Sequence, residues 1–373
     1  MADNIINLWL NKAKNALERH VENSRVSPYL HLSIQERIDR AINDQSFVDF
    51  CVEERKMESF DINFEIAEKI AQIDMSGIKI DKSLIENQNV FNKKQIMADM
   101  EEFYATIDTL DPNGINLTDR LNFSRKYFTL KKGRYGRSYC KSKIDKYGNE
   151  NREIYVEIEG RINDTISAAH ESGHSLMYGF QNCMRIKDSR IDEIPTLIIE
   201  QLITIFLMEK YPQYAENFLE NDKFGMCFNV KKARESLMDA LIVKIVCGDI
   251  TYEEALKKYG HLYKEFPGML NLKLGQIETY KFYPMFESKY LIPHAIALEL
   301  RQRYKDNPQL VAKQLKHIIK KSETIAEEEV LAYLDLPDKL SLTEQYIDKF
   351  HGRIAELEQE QANVKQNTNV RVL

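Results

Sequence analysis

The chain has 373 residues, 43% hydrophobic and 29% charged, with a net charge of −6 and a pI near 5.9. That length can bury one large core or two modest ones, and the acidic balance argues against a nucleic-acid binder, whose phosphate contacts favour a basic surface. No apolar run approaches the ~20 residues of a membrane-spanning helix, and the N-terminus lacks a secretory hydrophobic region. The five cysteines are scattered and show no C-x-x-C spacing, which points to free thiols in a reducing compartment. The expectation is a soluble cytoplasmic protein with neither membrane nor nucleic-acid partners.

The first third reads as helix. Ile5, Leu8, Trp9, Leu10, Ala13 and Leu17 recur at helical spacing over 4–22, and Val26-Ser27-Pro28 marks a break. Ser33-Ile34-Gln35-Glu36 is a capping-box signature for a helix running to about Glu54. Asp61 is placed to cap a third helix ending near Gly77, and a long charged helix is expected over roughly 81–109. Asp111-Pro112-Asn113-Gly114 is a strong turn signal, so 1–115 is taken as a helical N-terminal cap. His20 and His31 read as surface histidines.

The pattern then changes. Tyr127–Leu130 and Ile154–Ile158 are β-like, the second with apolar/polar alternation. The Lys- and Arg-rich stretch from Lys132 to Tyr147 reads as a mobile hairpin loop, and without Walker spacing it is not a phosphate site.

Asp164 to Phe180 reads DTISAAHESGHSLMYGF. Residues four apart stack on one helix face, so His170 and His174 can present both imidazoles to one metal ion, with Glu171 beside them to polarise a bound water. Such a site needs a third protein ligand and an open position for water. The next apolar helix, opening at Asp192 with Pro195 in its first turn, carries Glu193 and Glu200 seven residues apart and therefore on one face. Two carboxylates on an apolar face are costly to bury unless positive charge meets them.

Together these residues resemble the zinc oligopeptidases of the thimet oligopeptidase and oligopeptidase F family, whose motif is H-E-x-G-H followed by E-x-[PA]-[ST]-x-x-x-E. Here it reads His170, Glu171, Gly173, His174, then Glu193, Pro195, Thr196 and Glu200. The upstream Lys132-Gly133-Arg134-Tyr135-Gly136-Arg137-Ser138 and the strand Ile154–Ile158 also look like the family, in which that strand borders the cleft at a sheet edge. The resemblance implies a mainly α, zincin-like catalytic domain with a small antiparallel sheet and a cleft between helical subdomains. It implies one Zn²⁺ per chain on His170, His174 and Glu193, Glu171 as general base, and Glu200 orienting a ligand histidine. It further implies a peptide substrate and an endopeptidase of oligopeptidase type. The family's usual later histidine is here Met177, Glu193 follows His174 by 19 positions, which is closer than usual, and family members are typically much longer. The chain reads as a shortened form that lacks part of the helical half walling the channel. Two alternatives follow: a specialised, effector-like protease for one protein target, or a non-catalytic protein keeping the metal site.

Past Tyr211-Pro212, helices are expected around 213–222, 230–247 and 251–259. The tyrosine-rich stretch Tyr280–His294 corresponds by resemblance to the one whose phenols stabilise the oxyanion. Tyr290 is the first candidate and Tyr283 the second, with His294 a candidate for the family's histidine here. The catalytic domain is taken as 116–340. The terminal segment 341–373 opens with an amphipathic helix to about 365 that either docks on the body or pairs with a partner or a second copy.

Overall fold

The computed structural model describes residues 32–57, 59–86, 91–133, 137–144, 150–178, 189–263, 267–270, 273–274, 286–322 and 324–370. The expected helix over 4–22, the break at Val26–Pro28, His20, His31 and Tyr283 lie outside them. No described helix is long and apolar enough to cross a membrane.

The described residues form two compact units, one from residues before Ile80 with Cys227–Leu291, the other from Ile80–Met226 with Ile292–Leu373. In the first, α1 (Ile34–Asn43) carries the expected capping box, with Ser33 and Glu36 satisfying each other's backbone N–H groups. The single helix expected to Glu54 is two, because the Asp44 side chain accepts from Ser46 and Phe47 N–H and caps a new start for α2 (Gln45–Lys56). Asp61 lies inside the first turn of α3 (Ser59–Ala71), where it pairs with Arg55 at 2.9 Å.

In the second unit the expected 81–109 helix is likewise divided, into α4 (Lys82–Ile85) and α5 (Lys93–Leu110), the latter capped by Asn92. The Asp111–Gly114 turn lies within this unit. Lys316 Nζ reaches Asp108 Oδ1 and the Asp111 carbonyl, both at 2.7 Å, and clamps the turn inside the unit. After α6 (Leu117–Ser124) come β1 (Phe128–Lys132), β2 (Ser138–Ile144) and β3 (Glu150–Ile158) in the order β1-β3-β2. The sheet is mixed: β1 pairs parallel and β2 antiparallel with β3. Ile154–Ile158 is therefore central and not an edge, and much of the basic "loop" is the edge strand β2.

Alternation decides which face is buried. Ile154, Val156 and Ile158 turn inward onto the helix that follows, α7 (Asn163–Tyr178). Tyr139 and Tyr155 stack on the opposite face with ring centroids 5.0 Å apart. Gly160, at φ 82°, makes the reversal into α7, and the Asp164 carboxylate gathers the N–H groups of Glu159, Gly160 and Arg161 at 2.8–3.1 Å.

α8 (Ser189–Lys210) packs along α7. It starts earlier than Asp192, so Pro195 sits in its second turn and withholds a bond from the Ile191 carbonyl. The two helices expected next are one, α9 (Ala215–Val246): no proline interrupts it, and burial of Leu219, Met226, Val230 and Leu237 outweighs the weak propensity of Gly225 and Asn229. It is followed by α10 (Tyr252–Tyr259), α11 (Leu291–Asp306), α12 (Pro308–Lys321), α13 (Glu327–Tyr333) and α14 (Lys339–Val370). The terminal helix buries Leu342, Tyr346, Phe350, Ile354 and Leu357 as its spacing predicts, and Gln361 anchors it to Glu220 at 2.7 Å.

Candidate metal centre

The second unit brings the motif together. His170 and His174 sit one turn apart on α7 with ring centroids 5.0 Å apart and nearly perpendicular planes. Glu193 enters from α8, and its Oε2 lies 3.5 Å from His170 Nε2 and 3.8 Å from His174 Nε2. One donor atom from each of the three lies within 4.8 Å of the others. The carboxylate is 2% exposed and the imidazoles half-buried. Two neutral nitrogens and one buried carboxylate form a donor set suited to a divalent transition metal.

The helices meet closely because Gly173 faces α8. A Cβ there would lie 3.0 Å from Thr196 Cγ2 and Ile199 Cδ1 and 3.4 Å from Thr196 Cα. The Thr196 hydroxyl holds the Glu193 region, bonding its carbonyl at 3.0 Å and its Oε2 at 3.3 Å. Behind α7, the buried Tyr104 hydroxyl meets Ser172 Oγ at 2.6 Å, and Arg120 donates to the Leu176 carbonyl.

Glu200 stands 2.7 Å from His170 Nδ1. A proton carried on Nδ1 would face this carboxylate and would leave the Nε2 lone pair free for a metal. Burial is the largest influence on His170 and favours the neutral ring. The Glu200 contact and the charges of Glu200, Glu171 and Glu193 together outweigh it and push the imidazole up to about 9. Glu171 is 5% exposed; burial raises its carboxyl above the ordinary range, with His170 and a hydrogen bond from Ser138 pulling the other way. Three acids thus surround two imidazoles, a field that calls for a cation.

Tyr290 ends a 3₁₀ turn, Phe286–Tyr290, in the first unit, half-buried with Lys232 Nζ 3.2 Å from its ring centroid. His294 lies on α11 with its ring 6.1 Å from that of Tyr346. Ser138 carries no mark in the sequence, where it falls in the basic stretch. Its one signal is the alternation of small residues, Ser138, Cys140 and Ser142, with larger polar ones.

The chain matches no protein-family model and no curated protein by sequence. Its fold is similar to solved peptidase structures. A proposed peptidase from Chlamydophila abortus aligns with TM-score 0.54 and 15% identity over 92% of this chain and 63% of that one. PZ peptidase A with an inhibitor aligns at 0.51 and 13% over 88% and 58%. A proposed oligoendopeptidase F from Bacillus anthracis str. Ames aligns at 0.51 and 13% over 87% and 56%. The chain spans about three fifths of the length of these structures. The fold is therefore the mainly helical, small-sheet architecture of oligopeptidase F-type peptidases.

Proposed function

We propose that this chain is a zinc-dependent peptidase acting on peptides in the manner of an oligopeptidase. The observation that carries this reading is the convergence of His170, His174 and Glu193 donor atoms within 4.8 Å, beside a buried acid, Glu171, that does not belong to the donor set. Zinc held by those residues would supply a bound water acidic near neutrality and a Lewis acid for the scissile carbonyl.

The remaining work falls to the chain. Glu171 takes the proton of the attacking water and passes it to the departing amine, so that peptide and water become a carboxylate and an amine. A carboxyl raised by burial suits a base that must also act as an acid. Glu200 keeps His170 in one tautomer. The Glu157 N–H bonds the Arg137 carbonyl at 2.8 Å, which makes 137 and 157 a hydrogen-bonded pair. Antiparallel pairs alternate, so Ser138, Cys140 and Ser142 turn their backbone groups to the edge of β2 away from β3. An extended peptide can be held there by main-chain hydrogen bonds. By the family resemblance, Tyr290 and then Tyr283 are the candidate donors to the oxyanion.

Metal analysis combined with cleavage of a quenched peptide tests the reading. About one zinc per chain is expected, lost in His174→Ala, with cleavage abolished but zinc kept in Glu171→Gln. Wild-type protein without zinc, or a fully active Glu171→Gln variant, refutes it. Zinc without cleavage of generic peptides would favour a dedicated protein target.

A further inference from the structure

Three helices of the second unit, α9, α11 and α14, leave a cavity of about 350 Å³ between them, a size suited to a small ligand. α11 and α14 run side by side in the same direction: Glu299, Gln302 and Lys305 meet Lys349, Arg353 and Glu360 in turn. Small residues keep the space between them open, Ala295 on α11 and Gly352 on α14. A glycine inside a helix weakens it relative to alanine, yet a Cβ at Gly352 would meet nothing within 4 Å. Packing does not require a glycine there.

The apolar walls are Leu298, Leu342, Tyr346 and Phe350, with Met226 of α9. Arg353 also lines the cavity, its side chain only 15% exposed. Its Nη1 serves Glu356 at 3.0 Å and Gln302 at 3.4 Å, while no described residue accepts from its Nε or Nη2. Those two groups form an edge of the guanidinium that can hold a carboxylate with two parallel hydrogen bonds. The other charges on the lining limit what can enter. Glu299 neutralises Lys349 at 2.7 Å, and Glu356, 62% exposed, offsets Arg353 only weakly through solvent. One negative charge can be met there, but not the two of a phosphate ester or a dicarboxylate.

We propose that the cavity between α11 and α14 binds a small monocarboxylate with an apolar body, its carboxylate on the Nε and Nη2 of Arg353 and its body against Leu298, Tyr346 and Phe350. The Glu356 bond need not break, because it uses a different nitrogen. None of the lining residues belongs to the metal centre, so the inference goes beyond the peptidase reading and does not depend on it.

Hydrocinnamate, an aryl carboxylate, is titrated into the full-length protein by calorimetry, beside hydrocinnamamide, which has the same shape without the charge. His174→Ala is titrated in parallel, because a carboxylate could otherwise bind at the metal centre. Saturable binding at one site per chain is expected in both proteins. The amide, and separately Arg353→Met, should each weaken binding by about 10- to 100-fold, as losing a charge-assisted pair predicts. Gly352→Leu fills the cavity from α14 and should abolish binding while raising resistance to urea, since leucine favours a helix over glycine. No saturable binding by wild type, equal affinity for acid and amide, or unchanged affinity in Arg353→Met overturns the proposal. So does binding that survives in Gly352→Leu, or binding lost in His174→Ala, which would place the carboxylate at the metal centre. The comparison of acid with amide needs no variant and decides the matter even if Arg353→Met does not fold.

Discussion

Gly173→Ala tests whether the metal centre depends on how closely α7 and α8 approach. The added methyl would stand 3.0 Å from Thr196 Cγ2 and Ile199 Cδ1, about 0.5 Å inside the usual separation of carbon atoms. Ile199 can turn its terminal methyl aside, but Thr196 Cα at 3.4 Å is backbone, so part of the strain falls on the helix spacing. Overpacking of this kind costs about 1–3 kcal/mol, and replacing a helical glycine by alanine returns about 0.5–1 kcal/mol. The apo-protein should therefore lose about 0–2.5 kcal/mol. Zinc should suffer more, since metal–ligand distances tolerate only about 0.2 Å and the displaced helix carries Glu193. A drop in zinc affinity of about 10- to 100-fold is expected, read by chelator competition, with urea denaturation of the apo-protein giving the stability change. Gly225→Ala is the control: nothing lies within 4 Å of where its methyl would stand, so the same change in α9 should stabilise by about 0.5–1 kcal/mol. A Gly173→Ala protein that is stabilised like this control and binds zinc as wild type would refute the reasoning.

Asp164→Ala should cost about 2–3 kcal/mol in urea denaturation, because three N–H groups at the entry to α7 lose one shared, buried acceptor. Tyr104→Phe should cost only about 1 kcal/mol and leave zinc content unchanged, since Ser172 Oγ retains its 2.8 Å bond to the Ala169 carbonyl. In the first unit, Lys273 Nζ stands 2.8 Å from buried Asp239, whose carboxyl burial pushes up to about 6 despite the lysine. The folded value exceeds the unfolded one, 3.8, so this group erodes stability as pH rises from about 4 to 6. Lys273→Met removes the compensating charge and raises the folded value further. Its penalty relative to wild type should be small at pH 5 and grow by up to about 2.5 kcal/mol by pH 8, as one proton retained over about two pH units allows and denaturation across pH would measure. Asp239→Asn in the same protein should recover most of it.

The sequence announces the centre because its chemistry is local. His170, Glu171 and His174 are spaced by one turn of helix, Glu193 and Glu200 by two, and periodicity alone puts each set on one face. The stripe of α14 is legible for the same reason. The sheet is not, because strand order depends on pairing between distant segments: Tyr127–Leu130 and Ile154–Ile158 suggest a hairpin, whereas β2 inserts as the edge and leaves β1 parallel to β3. β2 itself is hidden by its lysines, which read as loop until the buried partners Ile154 and Val156 are seen opposite its small residues. Helix boundaries escape periodicity where a side chain acts as a cap, as at Asp44, or where burial carries a helix through weak formers, as from Asn217 to Asn229.

The charge at the centre gives the metal reading an argument independent of the motif. Glu171 and Glu193 are 5% and 2% exposed, and Glu200 contacts His170 directly. Ionised acids cannot be buried together without opposing charge. The surroundings of His170 answer that need in part, holding a proton on the imidazole up to about 9. Yet a proton there sits on one side of the cluster, next to Glu200, and leaves Glu193 3.8 Å from His174 Nε2, too far for a hydrogen bond. A dication among the three donors would meet every charge at once and would need a His170 proton only on Nδ1, the nitrogen 2.7 Å from Glu200. Glu200→Gln separates the two accounts, since an amide can still accept from Nδ1–H but contributes no charge. If the carboxylate serves mainly to hold the tautomer, zinc affinity should fall by less than about tenfold. If its charge is what draws the cation in, the fall should approach the 10- to 100-fold typical of losing a partner to a metal-bound histidine.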